Sequence, residues 1–355
     1  MQRPIKLVLR YNAKSCRGGF ASILALQTDQ FINPPLPLIY RSDTITMKST
    51  IKILLMVVLT VFLILETAEI GQSIISAFGD SSSRKPLASN QYTGVAYLDS
   101  AQCTGSLLTG GLYVLTAAHC LNEGGVKVPA ETAIKAIFKF PSGEVSIPVS
   151  NYYIHPGWTG YESEVGNDIA ILKLKRAAPP TIEQYEINRN KNEIGKVFTK
   201  VGYGYIGLGA TGQDKNSNSE AKRYSGQNRY DALIDVLKNA TESDMSELVL
   251  GSQLIFDFDD GTAEHDALGR HFPRLRDRGL GKNEIATASG DSGGPSFVDR
   301  KIGGISSWGY SDRGFFKTNI ADIDKIDNNG SFGEISGDTR VSFYAAWIDR
   351  VTKNK

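Results

Sequence analysis

The chain has 355 residues, enough for two domains of ordinary size, with 41% hydrophobic residues and a formal net charge of +1. Residues 1–73 carry eight Lys/Arg against four Asp/Glu, a net of +4, which leaves −3 for residues 74–355. A main body without basic excess excludes nucleic acid as a partner on electrostatic grounds.

Residues 1–46 include Asn33-Pro34-Pro35-Leu36-Pro37, which resists regular structure, and read as an extension ahead of the true start at Met47. Lys48 and Lys52 then precede an apolar run from Ile53 to Leu65 broken only by Thr60. Lysines, a short apolar block and small residues make the pattern of a secretory signal peptide. The run is shorter than the ~20 residues a membrane-spanning helix needs. The expectation is a signal peptide at 47–73, cleaved after Ala68, Ser73 or Ala77 with Ser73 fitting best. The product is secreted and keeps no stable membrane association; a single-pass anchor is the competing reading.

From residue 74 on, short apolar runs alternate with Gly/Pro punctuation. Tyr92–Leu98, Cys103–Leu108 and Leu112–Thr116 read as strands, the last two around Gly110-Gly111. Val126–Phe140 and Glu144–Val149 flank Pro141-Ser142-Gly143. This spacing argues an all-β sandwich or barrel. Val197–Val201 is a strand running into Gly202-Tyr203-Gly204-Tyr205-Ile206-Gly207. Although this matches G-x-G-x-x-G, no helix opens at the last glycine, so it is no dinucleotide fingerprint. Residues 207–230 show no apolar period and read as an exposed, mobile insertion. Residues 232–238 fit a short helix or a strand.

Leu254–Phe258 reads as a strand ending in Asp257, Asp259, Asp260 and Gly261, a cluster that lacks the ligand spacing of a calcium loop and reads as a solvated turn. Asp322, Asp324 and Asp327 fail the same spacing. Ser296–Val298 and Ile302–Ser307 are further strands. Tyr344, Trp347, Ile348 and Val351 recur at helical spacing and predict a C-terminal amphipathic helix.

Three segments carry chemistry. Ser292 lies in Gly290-Asp291-Ser292-Gly293-Gly294, where glycines permit turns and close approaches that a Cβ blocks. A serine is a weak nucleophile unless a base and an orienting third group support it. His119 follows the apolar run Leu115-Thr116-Ala117-Ala118, and Asp168 heads the run Ile169 to Leu174. In the order His, Asp, Ser, these segments resemble the trypsin/chymotrypsin family of serine endopeptidases over about residues 90–351.

The resemblance, to a secreted, bacterial-type member with long loop insertions, implies an all-β fold. It comprises two six-stranded Greek-key antiparallel barrels, at 74–180 and 181–355, with the active site between them and a C-terminal helix on the second. Insertions fall near 205–230 and 310–336. The implied catalytic residues are His119, Asp168 and Ser292, with the backbone N–H groups of Gly290 and Ser292 as the oxyanion hole. Ala286 at the pocket base, in place of an acid, implies no Lys/Arg preference, and Ser307, Trp308 and Gly309 would pair with substrate backbone. Cys103 and Cys120 would form a disulfide, leaving Cys16 over. A free amine on Ile74 would pair with Asp291. The implied partners are protein or peptide substrates; no metal or organic cofactor is called for, and oligomeric state is not determined.

Overall fold

In the computed structural model, residues 75–77, 86–124, 126–127, 134–160, 165–217, 221–238 and 245–353 are described. All lie in the compact unit Thr67–Lys355. Residues 1–46, the expected signal peptide and Ile74 lie outside the described residues. Among those described, no helix is long and apolar enough to cross a membrane.

The first half is a closed six-stranded barrel: β1 (Val95–Leu98), β2 (Cys103–Leu107), β3 (Tyr113–Thr116), β4 (Lys135–Phe140), β5 (Gly143–Ile154) and β6 (Ala170–Leu174). Around the ring the order is β1-β2-β3-β6-β5-β4, with every pair antiparallel. β2 and β3 are buried along their whole length, and β2 takes the polar Thr104 and Ser106 inside with it.

The second half contains β7 (Val197–Gly202), β8 (Tyr224–Arg229), β9 (Ala232–Leu233), β10 (Gln253–Asp257), β11 (Pro295–Val298), β12 (Lys301–Ser311) and β13 (Glu334–Arg340). They form one curled sheet in the order β8-β7-β11-β12-β13-β10-β9. The expected second six-stranded barrel is therefore a seven-stranded half-barrel whose ladder does not close. Its two edges are consecutive in the chain: Tyr230 bonds to Lys196 on one edge, and Asp231 to Ile255 on the other. The backbone changes partner between these two residues, so the chain itself joins the edges.

Several sequence expectations are corrected. Within 207–230, residues 224–229 are not an exposed insertion: Tyr224–Arg229 pairs residue for residue with Val197–Gly202 and is largely buried. Asn228 points inward, its Nδ2 donating to the carbonyls of Asp257 and Ile285, and Gly226 leaves room for Ile285. Residues 232–238 are both things in turn, a two-residue strand and a 3₁₀ turn. Asp257 and Asp259 are not in a solvated turn but are almost fully buried. The C-terminal helix α1 (Val341–Lys353) also reaches the first half, where Tyr344 and Trp347 meet His155 edge-on.

One buried ionic knot ties the second sheet. Lys200 Nζ donates to Asp338 Oδ1 at 2.7 Å and Ser306 Oγ at 2.6 Å, while Tyr230 Oη and Ser296 Oγ donate to Asp338 Oδ2 at 2.6 and 2.5 Å. Both charged side chains are fully buried. Removing one charge strands the other, at a cost of roughly 3–5 kcal/mol. Lys200→Met is thus expected to lower the unfolding free energy by that amount in urea titration, and adding Asp338→Asn to restore part of it.

Candidate active site

β3 runs into Ala117 and Ala118, both fully buried. Their small side chains let the chain turn inside the molecule, with Leu121 and Asn122 N–H groups donating back to Ala118 O. His119 sits on this turn. Its Nδ1 lies 2.8 Å from Asp168 Oδ2, and its backbone N–H donates to Asp168 Oδ1 at 2.9 Å. The His119 side chain is 15% exposed and that of Asp168 fully buried, so the imidazole separates the acid from solvent.

Asp168 is placed from several directions. Asn167, immediately before it, has φ 64°, a left-handed conformation that asparagine tolerates better than most residues. The Asn167 N–H donates to Tyr344 Oη at 2.8 Å, tying this turn to α1. From the second sheet, Ser307 Oγ donates to Asp168 Oδ2 at 2.6 Å and Thr339 Oγ1 to Asp168 O at 2.8 Å. Burial alone would raise the Asp168 pKa. The facing His119 and the hydrogen bonds from His119 and Ser307 outweigh it and hold the carboxyl below its ordinary value.

Ser292 is half-buried and lines the same cleft as His119. Its turn is held between β2 and β12: Ser292 O accepts from Thr104 N at 2.8 Å, and Gly293 N donates to Ser306 O at 2.9 Å. Gly293 has φ 79°, and a Cβ there would collide with Thr116 and Thr104. Only glycine satisfies both demands. Among the described residues, the N–H groups of Gly290 and Ser292 donate to no protein acceptor, and both residues line the cleft. The expected disulfide is present, with Cys103 and Cys120 Cα atoms 6.2 Å apart, and the Cys120 sulfur lies 3.7 Å from Ser292 O.

Asp291 is fully buried. Its Oδ1 accepts from Gly204 N and its Oδ2 from Ala288 N, each at 2.9 Å. A Cβ at Gly202 or Gly204 would strike this carboxylate, which accounts for two glycines of the G-x-G-x-x-G run. Among the described residues Asp291 has no ion-pair partner, and burial pushes its pKa up to about 7.

The cleft has a volume of about 840 Å³, and among the described residues no acid lines it. Thr287, Ala288, Trp308, Gly309, Tyr310 and Asn328 form one wall, and Thr287 Oγ1 is buried there without a hydrogen-bond partner. Ala286 does not line it; it is fully buried in a small sheet, paired with Ile75. Glu284 is also absent from the lining, because its carboxylate accepts from the N–H groups of Asp259 and Leu280. Ser307 lines the cleft, but its hydroxyl is turned to Asp168. Trp308 is buried, donating from Nε1 to Gln253 and stacking on Tyr310. Sequence reasoning missed Thr339, Tyr344 and Asn167, since ordinary strand, helix and loop residues carry no local mark of the acid they support.

The Trypsin family model matches residues 81–232. Among curated proteins, the chain is 27% identical over 304 residues to granzyme-like protein 1 of Rattus norvegicus, covering 84% of this chain and 98% of the relative. It is 26% identical to granzyme B of the same species, over 72% of this chain and 82% of the relative. Among solved structures, neuropsin, a serine protease expressed in the limbic system of mouse brain, matches with a TM-score of 0.52 and 17% identity, over 75% of this chain and 97% of that one. The fold is that of the trypsin/chymotrypsin-like serine proteases, and these matches together support the chain's place in that family.

The Asp291 environment has a pH signature. Folding raises its pKa from 3.8 to about 7, so between these values the folded chain holds a proton that the unfolded chain has released. The associated stability is fully present below about pH 4, is lost as pH rises through about 7, and stays lost above that. Chemical denaturation of the unprocessed chain is expected to show a larger loss between pH 5 and pH 8 (both roughly chosen to bracket the window) in wild type than in Asp291→Asn.

Proposed function

We propose that the chain is a secreted serine endopeptidase that hydrolyses peptide bonds through Ser292, His119 and Asp168. The observation that carries this reading is the buried Asp168 holding His119 Nδ1 at 2.8 Å in the cleft that Ser292 lines. An ionised Asp168 accepts a hydrogen bond from Nδ1–H, which fixes the tautomer whose Nε2 carries the basic lone pair. His119 would take the proton of Ser292 Oγ as the oxygen attacks a peptide carbonyl, then give it to the departing amine. Asp168 would stabilise the imidazolium formed between the two steps. The Gly290 and Ser292 N–H groups, with no internal acceptor, are the donors available to the developing oxyanion. The acyl-enzyme would then be hydrolysed by water in the same two steps.

Among the described residues no acid lines the cleft, which supports a preference for small or apolar side chains over Lys and Arg. Secretion is supported by the Met47–Ser73 pattern. Activation is proposed to follow cleavage after Ser73, giving Ile74 a free amine to pair with Asp291. Two observations support this. Ile75, the next residue, is fully buried between Gly207 and Ala286, and the Asp291 carboxylate lacks a cationic partner among the described residues. A paired amine would pull the Asp291 pKa back down, so a processed chain is expected to lose the pH dependence described above.

The test is intact mass of secreted protein before and after an organophosphonate, with turnover of peptide substrates. Wild type is expected to gain one adduct and Ser292→Ala none. His119→Ala is expected to lower kcat roughly 10⁴-fold or more. An unlabelled protein whose N-terminus is already Ile74 would make it a catalytically silent relative. Arg–X bonds cleaved much faster than Leu–X or Ala–X would sink the specificity reading, and an N-terminus well away from Ile74 the activation reading.

A further inference from the structure

Three buried carboxylates meet behind the cleft wall, where β10 ends and the 259–283 loop begins. Asp257, Asp259 and Asp266 are each about 2–3% exposed, and each offers an oxygen within 4.8 Å of the other two. Ligands ~2.4 Å from a shared calcium ion can lie at most about 4.8 Å apart. The three oxygens are thus close enough to share one ion.

Part of this cluster has a structural role. Asp257 Oδ2 accepts from Leu268 N, and Asp266 Oδ1 caps the short helix Ala267–His271 through Gly269 N, both at 2.6 Å. Asp259 differs. Its Oδ1 is buried with no hydrogen-bond partner, and no side-chain donor reaches it from the surrounding elements. Among the described residues none of the three acids has an ion-pair partner. Arg276 and Arg278 act on Asp266 only at a distance, while Asp231 and Glu284 add negative charge from the other side. The loop that follows Asp259, residues 261–264, is exposed.

We propose that Asp257, Asp259 and Asp266 form a binding site for one divalent cation of the calcium type. Hard carboxylate oxygens with no nitrogen or sulfur donor select Ca²⁺ over Zn²⁺, and water fills the remaining positions of its 6–8-fold shell. The ion would brace the corner that leads through Glu284 and Ile285 into the cleft wall at Thr287, because Asp259 N is bonded to Glu284 and Asn228 bridges Asp257 O and Ile285 O. The site does not depend on whether the chain cleaves peptides.

The full chain, stripped with EDTA, is titrated with CaCl₂ by calorimetry, with Tm followed in parallel. Wild type is expected to bind one Ca²⁺ and to gain roughly 3–8 °C in Tm, reversed by EDTA. Asp259→Asn keeps the size of the side chain, so it is expected to fold, to melt above wild type in EDTA, and to bind Ca²⁺ at least about tenfold more weakly. Asp266→Asn keeps an N-cap residue and serves as the second variant, with the same expected loss. A wild-type chain with neither heat nor Tm rise at ~10 mM Ca²⁺ would overturn the proposal. So would an Asp259→Asn chain that binds Ca²⁺ as tightly as wild type.

Discussion

The burial of Asp168 is the constraint on which the site depends. A carboxylate taken wholly out of water must be paired and hydrogen-bonded or give up its charge. Here the donors come from different parts of the fold: His119 from the turn after β3, and Ser307 from β12 in the second half. Thr339 in β13 holds the same residue's carbonyl, and α1 holds the neighbouring Asn167. Satisfying one acid therefore fixes the two halves against each other. It also leaves the imidazole at the mouth of the cleft with its orientation set from behind.

The Ser292 turn obeys a complementary constraint of space. Its glycines lie where backbone passes against backbone, with Gly293 against Thr104 and Thr116 and Gly290 against Gly204. Asp291 fills the centre of the turn and holds it through Gly204 and Ala288. Loop carboxylates play similar parts around the cleft. Asp312 accepts from the N–H of Ala321, and Glu334 from those of Asn329 and Gly330. The 310–336 segment is thereby a folded wall, with Phe315 and Phe316 buried beside Trp308. Such acids replace water for backbone groups that a loop cannot pair by itself. Asp259 stands apart from them because its Oδ1 is buried without a hydrogen-bond partner and its carboxylate lies among other acids.

The two halves were unequally legible in the sequence. β1, β3 and β6 could be read within a residue or three because they carry mostly apolar runs, and β2 from its place before the Gly110-Gly111 turn. β8 could not, because Ser225, Gly226, Gln227 and Asn228 resemble a loop until their partners are known. The acidic run after β10 misled for the same reason. Charge in a sequence implies solvent, and only the packing of Phe258 and the short helix Ala267–His271 shows these acids to be inside.

The sequence by itself determined the β-rich class, the segments around His119, Asp168 and Ser292 and the pair of cysteines. Each of these rests on local composition: apolar runs, glycines about a serine, and a histidine flanked by small residues. Tertiary structure alone decided that Ala286 and Glu284 stay out of the cleft. It also decided that Ser307 serves Asp168, that the second sheet closes through the chain, and that three aspartates meet in the interior. These are contacts between residues tens to hundreds of positions apart, and their energies depend on burial and on which groups face one another. A linear reading holds neither quantity.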